Sequence, residues 1–409
     1  MLSTEEALTA MLACVERLQP VEVPLDEAAG LILADDIVAR GDVPPFTNSA
    51  MDGFAVQAAD IASATAEHPV RLRVLEDVPA GTVAAGTVAP GTAMRIMTGA
   101  PLPVGADTVV QVELTRPEEA EVLVLKSLKP GANVRLAGED MKDGATVLQR
   151  GTFLRPGEVG VCAAAGHPVV SVYPRVRVAI LTTGAELVDV SAVPGPGQIR
   201  DANAHSLRAQ VRTIGAEPVV FPLVPDTREA VRTAVAQALT EADVVLTNGG
   251  VSVGDYDFVK EVLEDLGARL VFWGVRQKPG KPMAFWTLGS KYVVGLPGNP
   301  VSCMVCTEEY VRPMVRHMMG FPLLHRPVRR AMLDGAYAKG ADTGRTHFVR
   351  VRLREQDGTL HAVLTGPQGS GILTSMAEAE ALAIIPEEVS TVEAGSLVEV
   401  QLTDLPEDH

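Results

Sequence analysis

Tyr292-Val293-Val294-Gly295-Leu296-Pro297-Gly298-Asn299-Pro300-Val301-Ser302 is the stretch that decides the fold. Tyr292–Leu296 reads as a short buried strand, and a helical pattern runs behind it over Val301–Met319. Pro300 falls near the first helical position, where its missing N–H would be unpaired anyway. A strand that passes into a helix through a glycine turn is the repeating joint of an α/β sheet. Just upstream, the apolar run Leu270–Val275, also read as a buried strand, leads to a second turn, Lys278-Pro279-Gly280-Lys281-Pro282. Proline fixes φ and glycine permits positive φ, so this is a stiff turn. Two ammonium groups on it can converge on one oxyanion. Reversing the chain would not require both lysines, so the pair points to a phosphorylated or otherwise anionic ligand.

Working outward, strand and helix alternate from Val176 to about Met319. The β-branched runs Val176–Leu181, Val219–Phe221, Asp243–Thr247 and Tyr292–Leu296 read as buried parallel strands. Helices are expected over Ala202–Ile214, Arg228–Thr240, Asp257–Leu266 and Val301–Met319, with Asp226-Thr227 as a start and Gly215 and Gly267 as stops. The pattern predicts a doubly wound α/β domain over 176–326 that binds ligands at the carboxyl ends of its strands. Residues 45–141 are rich in Val, Gly and Pro and predict a β-rich insert, with strands at Val70–Leu75 and Glu121–Leu125. Residues 327–409 predict a C-terminal β-barrel, with strands at Thr346–Leu353, His361–Leu364 and Leu397–Leu402. Residues 1–44 and 142–175 flank the insert and are expected to form one discontinuous domain.

Composition narrows the function. With 35 basic and 51 acidic residues, the 409-residue chain carries a net charge of −16. That field repels nucleic acid and anionic membrane alike, so neither is expected as a partner. The charged opening Met1-Leu2-Ser3-Thr4-Glu5-Glu6 does not read as a signal peptide, and no run has the apolar length of a membrane helix. Four cysteines make no disulfide framework, which suits a reducing, cytoplasmic setting.

Several loops carry candidate chemistry. Asn248-Gly249-Gly250-Val251-Ser252-Val253-Gly254 follows a strand and precedes a helix opened by Asp257, a placement in which backbone N–H groups can cradle phosphate. It is neither a dinucleotide fingerprint nor a P-loop. It does contain G-x-S-x-G around Ser252, so a hydrolase elbow stays open beside a purely structural glycine turn. Glu186, in Thr182-Thr183-Gly184-Ala185-Glu186, ends the first core strand and projects over the same sheet edge. The Asn48–Gly53, Arg95–Pro101 and Arg135–Asp140 segments each set polar groups at a glycine turn; an isolated Asp52-Gly53 is only a turn, but carboxylates from separate loops can hold Mg²⁺ between phosphates. Cys303 and Cys306 have C-x-x-C spacing on an apolar helix, which reads as core packing by small thiols.

Together these segments resemble the molybdopterin molybdenumtransferases, the family of MoeA and the gephyrin E domain. The resemblance rests on PPFTNSAMDGFAV, RIMTGAPLP, GANVRLAGED, TTGAEL, NGGVSVGDYDFV, KPGKP, GLPGNPVS and GRTHFVR, in family order from about residue 44 to residue 350. It implies the four-part architecture above and insertion of molybdate into adenylylated molybdopterin, with release of AMP and help from Mg²⁺. It places Asp52, Thr98, Glu186, Asp257, Lys278 and Lys281 in catalysis. Gly249, Gly250, Ser252, Asp226, Pro297, Gly298, Pro300, Arg135, Arg350 and Ser370 fall on substrate-binding positions. Asp52, Asp140, Glu186 and Asp257 are the implied metal carboxylates. A homodimer is implied, with the molybdopterin adenylyltransferase and apo-molybdoenzymes as further partners. Two departures stand out: Ala185, where many relatives carry Asp, and the two cysteines, where the family usually has small or aliphatic residues. Gephyrin-like members also act as peptide-binding scaffolds, an alternative that the retained lysines and carboxylates weigh against.

Overall fold

The structure is a computed structural model that describes residues 1–249 and 258–403. The chain divides into two compact units, one of Met1–Val21, Gly30–Ala34 and Ser171–His409, the other of Glu22–Ala29 and Asp35–Val170.

The first unit holds a six-stranded sheet. Its order is Glu217–Val220, Arg177–Thr182, Val244–Asn248, Lys291–Leu296, Ala284–Leu288, Arg269–Trp273. The first four strands are parallel, as their β-branched, two-sided burial predicts. Successive side chains on a strand face opposite ways, and here they feed two separate cores. Val178, Ile180, Val244, Leu246 and Val294 pack with the helices Asn203–Ile214 and Pro300–Cys306. Ala179, Leu181, Val245 and Val293 pack with the helices Arg228–Glu241 and Phe258–Asp265 on the other face. That is a doubly wound sheet, with its crossover loops at the carboxyl ends of the parallel strands.

Three local readings need adjustment. The Leu270–Val275 run is not a buried strand: Arg269–Trp273 is the sheet edge, antiparallel to Ala284–Leu288, and Leu270 is 38% exposed. Ala284–Leu288, interrupted by no turn signal of its own, is a strand the periodicity passed over. The long helix expected over Val301–Met319 is an α-helix at Pro300–Cys306, a π turn at Thr307–Val311 and an α-helix at Arg312–Met318.

The helix starts and stops follow local chemistry. Thr227 caps Arg228–Glu241 by accepting the Ala230 N–H, and Gly215 closes Asn203–Ile214 in the left-handed conformation. In the C-terminal part of the unit, five strands close on themselves. Thr346–Gln356 pairs with Thr359–Leu364, then Val328–Leu333, Leu397–Leu402 and Ala381–Ile385, which returns to Thr346–Gln356. This is a small β-barrel around Ala331, Leu333, Val349, Val351 and Val400. The short strand Gln277–Lys278 joins it beside Thr346–His347 and ties the lysine turn to the barrel.

The second unit is built on a six-stranded β-sheet ordered Thr108–Gln111, Gly53–Val56, Thr92–Ile96, Val70–Val78, Glu121–Val124, Thr115–Glu118. Phe54, Val56, Leu72, Val110 and Val122 fill one of its faces, and Ala55, Val78, Met94, Ile96 and Val109 the other. Among the described residues no helix is long and apolar enough to cross a membrane.

Candidate active site

At the carboxyl ends of the parallel strands lies a cavity of about 450 Å³. Its walls come from three strand-to-helix crossovers. Thr183 and Glu186 follow Arg177–Thr182, Asn248 and Gly249 end Val244–Asn248, and Pro297, Gly298, Pro300 and Ser302 follow Lys291–Leu296. The structure therefore gathers Glu186, Gly249, Pro297, Gly298 and Pro300 around one space. Gly250, Ser252 and Asp257, together with the whole G-x-S-x-G element, lie outside the described residues.

Two wall residues were missed in the sequence. Asp201 and Asn203 flank the start of the Asn203–Ile214 helix, both line the cavity, and each is 8% exposed. Asp201 accepts the Thr182 hydroxyl at 2.6 Å and the Ala204 N–H at 3.0 Å. Asn203 donates to Asn248 Oδ1 and to the Gly298 carbonyl, both at 2.7 Å. Their only signal in the sequence is an Asp-x-Asn at a predicted helix start, which a plain capping role explains equally well.

The lysine turn is wired differently. Lys278 Nζ lies 2.7 Å from Asp342 of the barrel, and Arg345 binds the same carboxylate at 3.1 Å. These cations, Lys278 foremost, hold the Asp342 carboxyl below its ordinary range. Lys281 is exposed. Beneath the turn lies Cys306, one of the two thiols expected to be packing residues, while Cys303 sits 3.2 Å from Asn248 Nδ2. Cys303 and Cys306 are free and fully buried, and Cys306 Sγ is 3.3 Å from Gln277 Nε2. Burial pushes both thiols well up, so both stay protonated and inert.

Arg350 and Ser370 split into distinct roles. Arg350 is 1% exposed and its guanidinium is committed: Nε donates to Ser375 Oγ at 3.0 Å and Nη2 to the Gly369 carbonyl at 3.0 Å. With its donors spent on protein, it holds the 367–369 loop in place. Ser370, on that loop, accepts Asn299 Nδ2 at 3.0 Å through its hydroxyl and the Val301 N–H at 3.1 Å through its carbonyl. Asp226 is exposed, one residue before the Thr227 cap.

In the second unit Asp52 and Thr98 meet. Asp52 Oδ1 accepts both the Thr98 N–H and its hydroxyl, each at 2.7 Å. The Thr98 amide, then its hydroxyl, lowers the Asp52 carboxyl below its usual range, and Arg95 adds to this. Asp52 and Arg95 line a second cavity of about 690 Å³. Gly53 is more than a turn residue: a Cβ there would lie 2.0 Å from the Val110 carbonyl oxygen, so only glycine lets this strand sit between its neighbours. Arg135 is exposed on a strand paired with Asn48–Ser49, and Asp140 is exposed, its N–H bonded to the Val43 carbonyl at 3.0 Å.

Among the described residues no three His, Cys, Asp or Glu side chains gather to hold a cation. Asp52, Asp140 and Glu186 thus form no protein cage, and Asp257 is outside the described residues. The donors fit a hard cation only in the mode in which one or two carboxylates share it with substrate phosphates.

An α/β domain packed on both faces with a cavity at its strand ends, a closed β-barrel and a β-rich unit define a multidomain α/β-plus-β protein with a ligand-sized site, and comparison with known proteins gives that class its family. The MoeA N-terminal region (domain I and II) matches residues 2–166, a domain described as "Probable molybdopterin binding domain" matches 179–317, and the MoeA C-terminal region (domain IV) matches 340–403. Molybdopterin molybdenumtransferase 2 of Mycobacterium tuberculosis is 38% identical over 405 residues, 98% of this chain and 99% of the relative. The molybdopterin molybdenumtransferase of Bacillus subtilis is 37% identical over 384 residues, 93% of this chain and 89% of the relative. The crystal structure of a molybdopterin biosynthesis MoeA protein from Pyrococcus horikoshii superposes with a TM-score of 0.83 at 32% identity, covering 98% of this chain and 99% of that one. The chain belongs to the MoeA family of molybdopterin molybdenumtransferases. It is an enzyme, a transferase of molybdenum cofactor biosynthesis.

Proposed function

We propose that this enzyme inserts molybdate into adenylylated molybdopterin, releases AMP, and is assisted by Mg²⁺. The observation that carries the reading is the strand-end cavity, in which Thr183, Glu186, Gly249, Pro297 and Gly298 converge on a ligand-sized space. In this reading the glycine-bearing crossovers, with Gly250 and Ser252, hold the substrate's phosphates through backbone N–H groups. Asp226, Arg135, Arg350 and Ser370 support substrate binding, Arg350 through the loop it holds. Lys278 and Lys281 balance the charge of the incoming oxyanion. Glu186 would hold Mg²⁺ beside the substrate, with Asp52, Asp140 and Asp257 as the other carboxylates assigned to metal. The ion supplies charge neutralisation to the departing phosphate. Asp52, kept ionised by Thr98, serves the release step.

The finer domain division belongs to the same proposal: 1–44 with 142–175, then 45–141, 176–326 and 327–409. So do a homodimeric state, a cytoplasmic setting, and encounters with the molybdopterin adenylyltransferase and apo-molybdoenzymes.

The test is AMP release from adenylylated molybdopterin, measured with and without molybdate and Mg²⁺. Release that requires both supports the reading; release indifferent to molybdate removes it. In single turnover, Asp52→Asn should keep substrate binding and slow release on the order of 10²-fold, the scale of one electrostatic contact in a transition state. Lost binding would instead move Asp52 from chemistry to recognition.

A further inference from the structure

Asn203 Oδ1 is a buried acceptor with no hydrogen-bond partner among the described residues. Its amide orientation is set through a chain of fixed partners. Backbone carbonyls only accept, so the contact of Asn248 Nδ2 with the Pro297 carbonyl at 2.8 Å makes that atom the donor and turns Asn248 Oδ1 toward Asn203. Asn203 must then offer its NH₂ to Asn248 Oδ1, and the same group reaches the Gly298 carbonyl. A flipped Asn203 would set oxygen against oxygen at both contacts. What remains is Asn203 Oδ1, buried in the cavity wall with no hydrogen-bond partner among the described residues. A buried amide oxygen left unpaired is costly, and in native proteins such an atom calls for an explanation.

The surroundings say what could meet it. Asp201, on the same wall, uses both carboxylate oxygens on the protein, and its charge opposes the positive end of the Asn203–Ile214 helix. A phosphate or molybdate oxygen brought to Asn203 Oδ1 would set acceptor against acceptor, on the wall that carries the Asp201 carboxylate. A neutral N–H would pair with Asn203 Oδ1. We propose that Asn203 is a specificity-determining residue that accepts a hydrogen bond from the N–H edge of a substrate heterocycle, while the anionic groups are held elsewhere in the cavity. The inference rests on the function proposed above. Adenylylated molybdopterin offers two such edges, the exocyclic amine of the pterin and that of the adenine.

Deleting the donor from the ligand tests this without disturbing the protein. Binding to the full chain is measured for two pairs: AMP against purine riboside monophosphate, which lacks the amine, and pterin against the pterin lacking its exocyclic amine. In wild type, the pair whose base rests on Asn203 should differ by about tenfold, as expected when a buried acceptor loses its partner. In Asn203→Ala both members of that pair should bind alike, because the coupling belongs to the contact and not to general loosening of the loop. The pair that shows the coupling identifies the base. Ratios below twofold for both pairs in wild type, or a ratio that persists in Asn203→Ala, would overturn the inference and leave the proposed function standing. If wild type bound neither AMP nor pterin, the function itself would fail and take the inference with it.

Discussion

The turns Lys278–Pro282 and Leu296–Pro300 are close in composition, yet their glycines live under opposite constraints. Gly280 has a φ of +98°, and a Cβ on it would lie 2.4 Å from Cys306 Sγ and 2.6 Å from Gln277 Nε2. A Cβ on Gly298 would meet nothing within 4 Å. The lysine turn is thus pressed onto the core from below, over a layer of thiol and amide. The second turn is held from the side, by Asn248 on the Pro297 carbonyl and Asn203 on the Gly298 carbonyl, and its cavity face stays open. One turn displays charged side chains on a rigid base; the other offers bare backbone to a ligand.

Breaking the first turn should have the largest effect. Gly280→Ala adds a methyl group where atoms already stand and asks alanine for a left-handed conformation, so a stability loss of roughly 3 kcal/mol is expected. Denaturant unfolding measures it, and a loss under about 0.5 kcal/mol, the usual scale of an exposed substitution, would mean the turn does not rest on Cys306.

The lysines of the same turn come next, and they should separate. Lys278 has Asp342 as a counterion, whereas Lys281 is exposed. Lys281→Ala should leave the fold intact and raise the molybdate needed for half-maximal turnover about tenfold or more, since a charged hydrogen bond contributes roughly 1.5–3 kcal/mol. Saturating molybdate should restore much of the rate. Wild-type behaviour of this variant at limiting molybdate would remove Lys281 from the oxyanion site.

The helix launched by the second turn carries a pH-dependent weak point in its π segment. Burial, then the neighbouring charge of Glu308, raises the Glu309 carboxyl from an ordinary 4.5 to about 8. The folded chain therefore binds this proton more tightly than the unfolded one. The stability it contributes is complete below about pH 4.5 and is lost as pH climbs through about 8. Glu309→Gln keeps an acceptor for Gln401 Nε2, now at 2.6 Å, without the charge. Its melting temperature should exceed that of wild type at pH 8, and the gap should close toward pH 5. A constant gap between those pH values would show that Glu309 titrates normally.

The smallest effect is expected at Gly298. With open space around it and no left-handed backbone, Gly298→Ala should change stability by no more than about 0.5 kcal/mol. If substrate backs onto this turn, the same variant should still weaken substrate binding. A large stability loss would erase the contrast between the two turns.

Much of the α/β sheet was legible because each parallel strand is buried on both faces and writes an unbroken apolar run. Arg269–Trp273 misled because an edge strand shares that run while half of it meets solvent, and neighbours are not written in a local window. Among the site residues, Glu186 and Gly249 could be placed from the rule that ligands gather at strand ends. Arg350 could not: its sequence context shows a cation, and only the folded barrel shows its donors consumed by the 367–369 carbonyls. Asp52 and Thr98 were both marked by their motifs, but that one Asp52 oxygen takes both the amide and the hydroxyl of Thr98 is a contact between segments distant in sequence.

By itself the sequence determined the alternation of strand and helix, the β-rich regions, the stiffness of the two turns and the family, because periodicity, proline, glycine and motif order are local properties of the chain. Only the tertiary structure decided which glycine is crowded and which is free, which lysine has a counterion, and which buried amide oxygen has no partner among the described residues. Those depend on distances between residues far apart in the chain, and a hydrogen bond or a steric clash changes sign within an ångström.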